Sequence, residues 1–280
     1  MSSDTIPVNR ILPQISRASV DAKISEIRSR GSAFLSSGTA ISKITKAALV
    51  VVVVIVLSLV IKYLYKAYCT YSNASPWILK GTKDARKRMI VLQDPAKYGA
   101  VTLGRSKNEY GGLEFTYMWW MHIDDWSYRN GDWKHIFHKG NDNASPLQCP
   151  GVWLHKTKNV MRVHMNTFEK IDEYMDIENI PLNKWVHCTL SIKQKHMDIY
   201  INGNLAKRHN LKGLPKQNHG DLYLNSFKGF GGFLSNVRYF NYHVSFMEID
   251  AHMKLGPSKK PAVDSGERPP YFTPSWWVNI

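Results

Sequence analysis

Three groups of residues in this 280-residue sequence have the types and spacing to do chemistry. The first is Glu173, Asp176 and Glu178 in the run EYMDIE. Retaining glycoside hydrolysis needs two carboxylates on one face, about 5 to 5.5 Å apart across the scissile bond. On a strand Asp176 and Glu178 share a face while Glu173 points to the other, so the spacing departs from a catalytic pair and favours a non-enzymatic chain. The second group is Asp124, Asp125 and Asp142, the last inside Asn141-Asp142-Asn143. Hard oxygen donors on adjacent loops suit Ca²⁺, the one cofactor entertained, but Asp-Asp before Trp126 suits turn chemistry better. The third group holds the outward positions of the middle strands: Arg162, His164, Asn166, Tyr200, Tyr223, Asn225 and Arg238. Such side chains can stack on and hydrogen-bond a sugar or accept a protein loop, and they also suit a solvated sheet face. His135 and His138 resemble a metal pair only on a helix, because three residues apart on a strand they face opposite sides. KGFGGF, Lys228 to Phe233, lacks the Lys-Ser/Thr of a phosphate loop and reads as a tight bend.

The elements that must position these groups are strands. In the stretch Asn183 to Leu211, the runs Trp185 to Ile192 and Met197 to Ile201 alternate apolar and polar positions and end at Asn202-Gly203. Period two is the strand signal, and Asn-Gly is the strongest short hairpin signal because both residues tolerate positive φ. GLEFTYMWWMHIDDW puts Phe115, Tyr117, Trp119, Met121 and Ile123 on one face, enough for the core of a sandwich. DWKHIFHKG, PGVWLHK and VMRVHMNTF are further short runs bounded by Gly, Pro or Asn. Three cysteines make no disulfide framework: Cys188 shares the Val186 and Leu190 face as a buried thiol, Cys149 falls in a loop, and Cys69 lies at the edge of an apolar segment. The sequons at Asn73 and Asn143 are each followed by proline, which disfavours glycosylation.

That apolar segment organises the N-terminal third. Ala47 to Ile61 carries no charge, and with Tyr63, Leu64, Tyr65, Ala67 and Tyr68 it extends past Lys62 and Lys66. Fifteen residues rise only about 22 Å, but with snorkelling lysines some 22 residues span a ~30 Å hydrocarbon core. The net charge is +15, yet residues 1–46 and 62–88 hold +10 of it. A basic balance flanking an apolar run points to anionic lipid headgroups and away from nucleic acid. The reading is an uncleaved single-pass anchor whose orientation the flanking charges leave open. Domain by domain it gives a basic Ser-rich tail (1–46) in which Val20, Ile24 and Ile27 suit either a short amphipathic helix or a solvated tail with nascent helix, a transmembrane helix (47–68) and a basic connector (69–90). A β-sandwich (91–254) and a Pro/aromatic docking tail (255–280) follow, with Tyr271, Phe272, Trp276 and Trp277 too apolar for an idle tail.

Trp-Val-His at 185–187 followed by Ile-Tyr-Ile-Asn-Gly at 199–203 resembles the central signature of laminin-G-like modules of the concanavalin A-like lectin and glucanase superfamily. The Phe/Trp-rich run Phe115 to Ile123, the Lys-Gly ending His135 to Gly140, the run Met161 to Trp185 and the closing Ser-Asn-Val-Arg-Tyr-Phe at 235–240 occur in that family's order. The resemblance implies an all-β, double-sheet jelly-roll sandwich with Trp185 as a core anchor. It also accounts for the lack of a helix-length periodic segment between Val91 and Lys254. The uncleaved anchor, sparse cysteines and aromatic tail resemble modules of virion membrane and minor capsid proteins of large DNA viruses. That implies a structural tether between a bilayer and a protein partner in an assembly; a membrane-bound lectin for a glycan is the alternative and a glycoside hydrolase the least favoured.

Overall fold

The computed structural model describes residues 17–36, 40–109 and 112–262. It has helices α1 (Arg17–Ser36) and α2 (Ala40–Ala74), then strands β1 (Trp77–Asp84), β2 (Met89–Val91), β3 (Lys107–Glu109), β4 (Gly112–Asp125), β5 (Lys134–Gly140) and β6 (Gln148–Leu154). After these come β7 (Val160–Met165), β8 (Glu173–Glu178), β9 (Trp185–Lys193), β10 (His196–Ile201), β11 (Asn204–Asn210), β12 (Asp221–Leu224), β13 (Gly231–Phe240) and helix α3 (Phe246–Leu255). The chain divides into two units, Met1–Ala67 and Tyr68–Ile280.

The first unit carries α1 and most of α2. Within α2, Thr45–Tyr71 is a 27-residue stretch long and apolar enough to cross a membrane, and Val50 to Val54 stand exposed on it. At 1.5 Å per residue it rises about 40 Å, more than a hydrocarbon core requires.

The second unit is a sandwich of two antiparallel sheets. One is seven-stranded, in the order β1-β13-β4-β9-β10-β11 with β3 beside β4, and the other is six-stranded, β2-β12-β5-β6-β7-β8. Strand parity makes the core. Phe115, Tyr117, Trp119, Met121 and Ile123 of β4 all point inward, opposite Ile192, Leu190, Cys188 and Val186 of β9. The six-stranded sheet answers with Phe137, whose ring sits 5.0 Å from that of Trp119 and 5.6 Å from that of Tyr117. A buried tryptophan withdraws ~150–250 Å² from water, worth about 4–6 kcal/mol before ordering costs. The hairpin between β10 and β11 turns on Asn202 (φ 48°) and Gly203 (φ 78°) as their left-handed tolerance predicts.

Several expectations need correction. Trp185 is half-buried on the outer face of β9, 5.4 Å from the His122 ring, because parity gives the inward places to Val186, Cys188, Leu190 and Ile192. The core tryptophan is Trp119. Cys149 lies buried on β6 instead of in a loop. Residues 69–90, read as a connector, hold the end of α2 and strands β1 and β2, each paired into a sheet. A helix does interrupt the β region: α3 opens with a capping box in which Ser245 Oγ accepts from the Glu248 amide and Glu248 reaches back to the Ser245 amide. Past α3 the chain runs along β1, with Thr82 N–H donating to Lys260 O and Ala262 N–H to Thr82 O. The tail residues Tyr271, Phe272, Trp276 and Trp277 lie outside the described residues.

Trp119→Ala is expected to lower the stability of the full chain by about 3–5 kcal/mol, and Trp185→Ala by ~1 kcal/mol, in denaturant unfolding. Equal losses, or the reverse order, would contradict the parity assignment.

Candidate functional site on the outer face of the six-stranded sheet

The site begins with a β-bulge. The pairing of β5 with β6 shifts between His135, which faces Trp153, and Phe137, which faces Val152. The extra residue, Ile136, turns into the core beside Phe137, so His135 and His138 emerge on the same outer face. This reverses the expectation that they face opposite sides: His135 Nε2 and His138 Nδ1 are 2.7 Å apart. Hydrogen bonding fixes the tautomers. The Ser226 amide donates to His135 Nδ1 at 2.9 Å, so His135 carries its proton on Nε2 and gives it to His138 Nδ1. His138 then donates from Nε2 to the Asn141 carbonyl at 2.7 Å. Both imidazoles are neutral in this chain. Burial, then His138 and Arg88, holds His135 well below the usual histidine range, and burial lowers His138.

Around this pair the cross-strand neighbours form two rows. One is Tyr223, His138, Gly151, His164 and Tyr174, and the other is His135, Trp153, Arg162 and Asp176. Tyr223 stacks on His138 at 4.9 Å, and Trp153 packs on His135 at 4.5 Å. Phe227, 41% exposed, stacks over Trp153 at 5.6 Å. A Cβ at Gly151 would displace the Gln148 carboxamide, whose Oε1 accepts from Trp153 Nε1 at 2.9 Å and orients the indole. Arg162 grips Asp176 through two bonds of 2.6 and 2.7 Å and lies 3.9 Å over the Tyr174 ring and 4.9 Å over Trp133. That pairing raises Arg162 and holds the Asp176 carboxyl below its ordinary range, chiefly through the hydrogen bonds themselves. His164 Nδ1 lies 3.0 Å from Asp172. The result is an aromatic surface with fixed polar groups, suited to stacking and hydrogen bonding.

Of the seven outward residues predicted for a ligand, Arg162, His164 and Tyr223 meet on this face. Asn166 is buried just past β7, where its amide donates to the Pro146 and Ile171 carbonyls and accepts from the Gln148 amide. Asn225 is buried at the end of β12, its amide reaching the Lys87 carbonyl at 3.5 Å. Tyr200 and Arg238 belong to the seven-stranded sheet. Tyr200 packs against the cluster of Met118, Phe240, Val244 and Ile249 under α3. Arg238 donates to Ser75 O and Oγ, both at 3.0 Å, and to Tyr71 Oη at 3.3 Å, gripping the C-terminal end of α2. A cation there also meets the negative end of the helix dipole.

The oxygen donors do not converge. Asp124 pairs with Arg86 at 3.3 Å, and Asp142 pairs with Arg88. Asp125 Oδ1 accepts from Ser127 Oγ at 2.6 Å and from the Ser127 and Tyr128 amides, a turn arrangement whose Ser127 hydroxyl bond leads in lowering the carboxyl. Among the described residues no group of three or more His, Cys, Asp or Glu is placed to hold a metal ion. In EYMDIE the face split is as expected: Glu173 is buried, 3.0 Å from His209 Nε2 and bonded by the Lys212 amide, while Glu178 is exposed.

Residues 95–250, more than half of the 280-residue chain, match the Laminin_G_3 family model, described as the concanavalin A-like lectin/glucanases superfamily. The chain belongs to this superfamily. No curated protein matches the sequence. Solved structures similar to this concanavalin A-like chain include the receptor-binding domain of a botulinum neurotoxin C/D mosaic serotype, at 12% identity and TM-score 0.42 over 51% of this chain and 36% of that one. The binding domain of botulinum neurotoxin DC in complex with rat synaptotagmin II is similar at 15% identity and TM-score 0.41, over 51% of this chain and 35% of that one. The same domain in complex with SialylT gives 15% and 0.41 over the same shares. The chain thus spans about a third of the length of those structures.

The site residues missed in sequence were Trp153, Tyr174, Trp133 and Phe227. Trp153 could have been found, since it alternates with Val152 and Leu154; Phe227 sits at φ 55° in a turn and had no pattern to announce it.

The neutral histidines predict a pH dependence. His135 and His138 are lowered, and burial pushes His187 on β9 down to about 4. The unfolded chain therefore binds more protons below pH ~6.5, so stability is full above that pH and declines as pH falls toward about 4. Unfolding midpoints of the full chain at pH 7.5, 6 and 5 should decrease in that order; a flat profile would contradict the buried neutral assignments.

Proposed function

We propose that the chain is a single-pass membrane protein whose concanavalin A-like sandwich binds without reacting, tethering a bilayer to a protein shell or surface, in the manner of a virion membrane or minor capsid protein. The observation that carries this reading is the continuity of α2. One unbroken helix contains the apolar stretch Thr45–Tyr71 and ends at Ala74, where Arg238 of the sandwich holds Ser75 and Tyr71. Lysine and arginine on both flanks of the stretch supply contacts for anionic headgroups. On this reading Tyr271, Phe272, Trp276 and Trp277 supply apolar contacts to the neighbouring protein.

The chemistry on the outer face supports binding over hydrolysis. Asp176, in the row of His135, Trp153 and Arg162, is committed to Arg162 and kept ionised, so it is a poor general acid, and Glu173 faces the core. The exposed Tyr174 and Phe227 beside Trp153 favour a second reading, a lectin in which sugar rings stack on that face.

The full chain should remain with membranes after alkaline carbonate extraction; complete release would remove the anchor. On a glycan array, with and without Ca²⁺, the tether reading predicts no Tyr174-dependent signal. Binding that Tyr174→Ala weakens about tenfold would move the assignment to the lectin.

A further inference from the structure

The two sheets part at one end around a cavity of about 910 Å³, apart from the aromatic outer face. That is near the upper end of the ~300–1,000 Å³ of small-molecule sites. Leu103, Leu113, Tyr117, Leu214 and Tyr239 give it an apolar wall. Tyr239 Oη is already used, donating to the Gly104 carbonyl at 3.0 Å.

Charged groups line it too, Asp94, Arg105, Lys139 and Asp221, and of the two cations Arg105 is exposed while Lys139 is buried. Lys139 on β5 is only 9% exposed, and its ammonium donates to the carbonyls of Asn218 and Gly220, both at 2.8 Å. Among the described residues no carboxylate forms an ion pair with it. Burial lowers this lysine to about 8 against the opposing pull of Cys149 and Asp221, which leaves it mostly cationic near neutral pH and with no carboxylate in direct contact. Of the acids of the same wall, Asp221 acts on Lys139 only through space, its Oδ1 accepting from the Gln93 amide at 2.8 Å, and Asp94 Oδ1 accepts from the Ala96 amide at 3.0 Å. Two of three ammonium N–H groups are spent, so one is left for one ligand oxygen. A phosphate head would ask for several donors; a carboxylate is matched by one cation and one short hydrogen bond.

We propose that the cavity between the sheets binds a single-chain amphiphile with a carboxylate head, the head on Lys139 and the alkyl chain along Leu103, Leu113 and Leu214. This site is separate from the tether and from the aromatic face, and it stands or falls independently of them.

The test uses the full chain in amphipol with three soluble ten-carbon probes: decanoate, decanol and decylammonium. Decanoate should bind saturably, at least about tenfold tighter than decylammonium, although Asp94 and Asp221 would by themselves favour the cation. Leu214→Trp, which narrows the cavity where the alkyl chain would lie, should weaken decanoate and decanol alike. Lys139→Met should remove the preference for decanoate while decanol still binds. Because Lys139→Met also removes two loop contacts, the wild-type preference and the Leu214→Trp weakening decide the matter if that variant does not fold. Equal binding of the two charged probes, or binding unaffected by Leu214→Trp, would overturn the proposal. So would decanoate binding that appears only after Trp276→Ala and Trp277→Ala, since the cavity would then belong to the chain's own tail.

Discussion

A β-strand sends alternate side chains to opposite faces, and both sheets of this protein commit one face to the same core. Everything else depends on that division. The ring of Trp119 reaches Phe137 across the sandwich because β4 and β5 keep their apolar parity where they cross. Burial of that surface is what keeps the polar outer faces in place, since hydrogen bonds on an exposed face add little net stability. Where parity breaks, at the Ile136 bulge, two histidines and an aromatic cluster are delivered to the outside, at the cost of one unpaired strand position.

The two outer faces then diverge. α3 lies over the seven-stranded sheet and buries Met118, Phe240 and Ile249 in a second, smaller core. Among the described residues no such helix lies over the six-stranded sheet, where Tyr174 and Phe227 stay exposed. Two arginines show the difference. Arg238 is almost fully buried, stacked 4.7 Å over Trp77 and bonded to Ser75, so it works as a structural clamp. Arg162, half-buried, pairs with Asp176 and presents Tyr174 and Trp133 as flanking rings. Identical side chains on similar strand patterns thus serve packing on one sheet and an open surface on the other.

Much of this was legible in the sequence because it depends on neighbours along the chain. The inward face of β4, the Asn202-Gly203 hairpin and the burial of Cys188 all follow from period two and from residues that tolerate positive φ. The Asp125 turn likewise needs only Ser127 and Tyr128. What was hidden depends on pairing between distant strands. The bulge in β5 exists only relative to β6, so the meeting of His135 and His138 left no mark on the local pattern. Sheet membership separated Tyr200 and Arg238 from Arg162 and His164, and no residue type encodes it. Trp185 misled because a family signature was read as burial, whereas its parity already placed it opposite Val186. α3 is legible in the sequence, since Ser245 and Glu248 spell a capping box three residues apart.

Hydroxyl-radical footprinting of the full chain in lipid vesicles tests the proposed membrane anchor and the two outer faces of the sandwich at once. Tyr174 and Phe227, 42% and 41% exposed, should be oxidised rapidly. Met118 and Phe240, 2% and 1% exposed, should be spared even though methionine is easily oxidised, and so should Val50 to Val54 within the bilayer. Labelling of Met118 and Phe240 as fast as Tyr174, or free labelling of those valines in vesicles, would contradict these assignments.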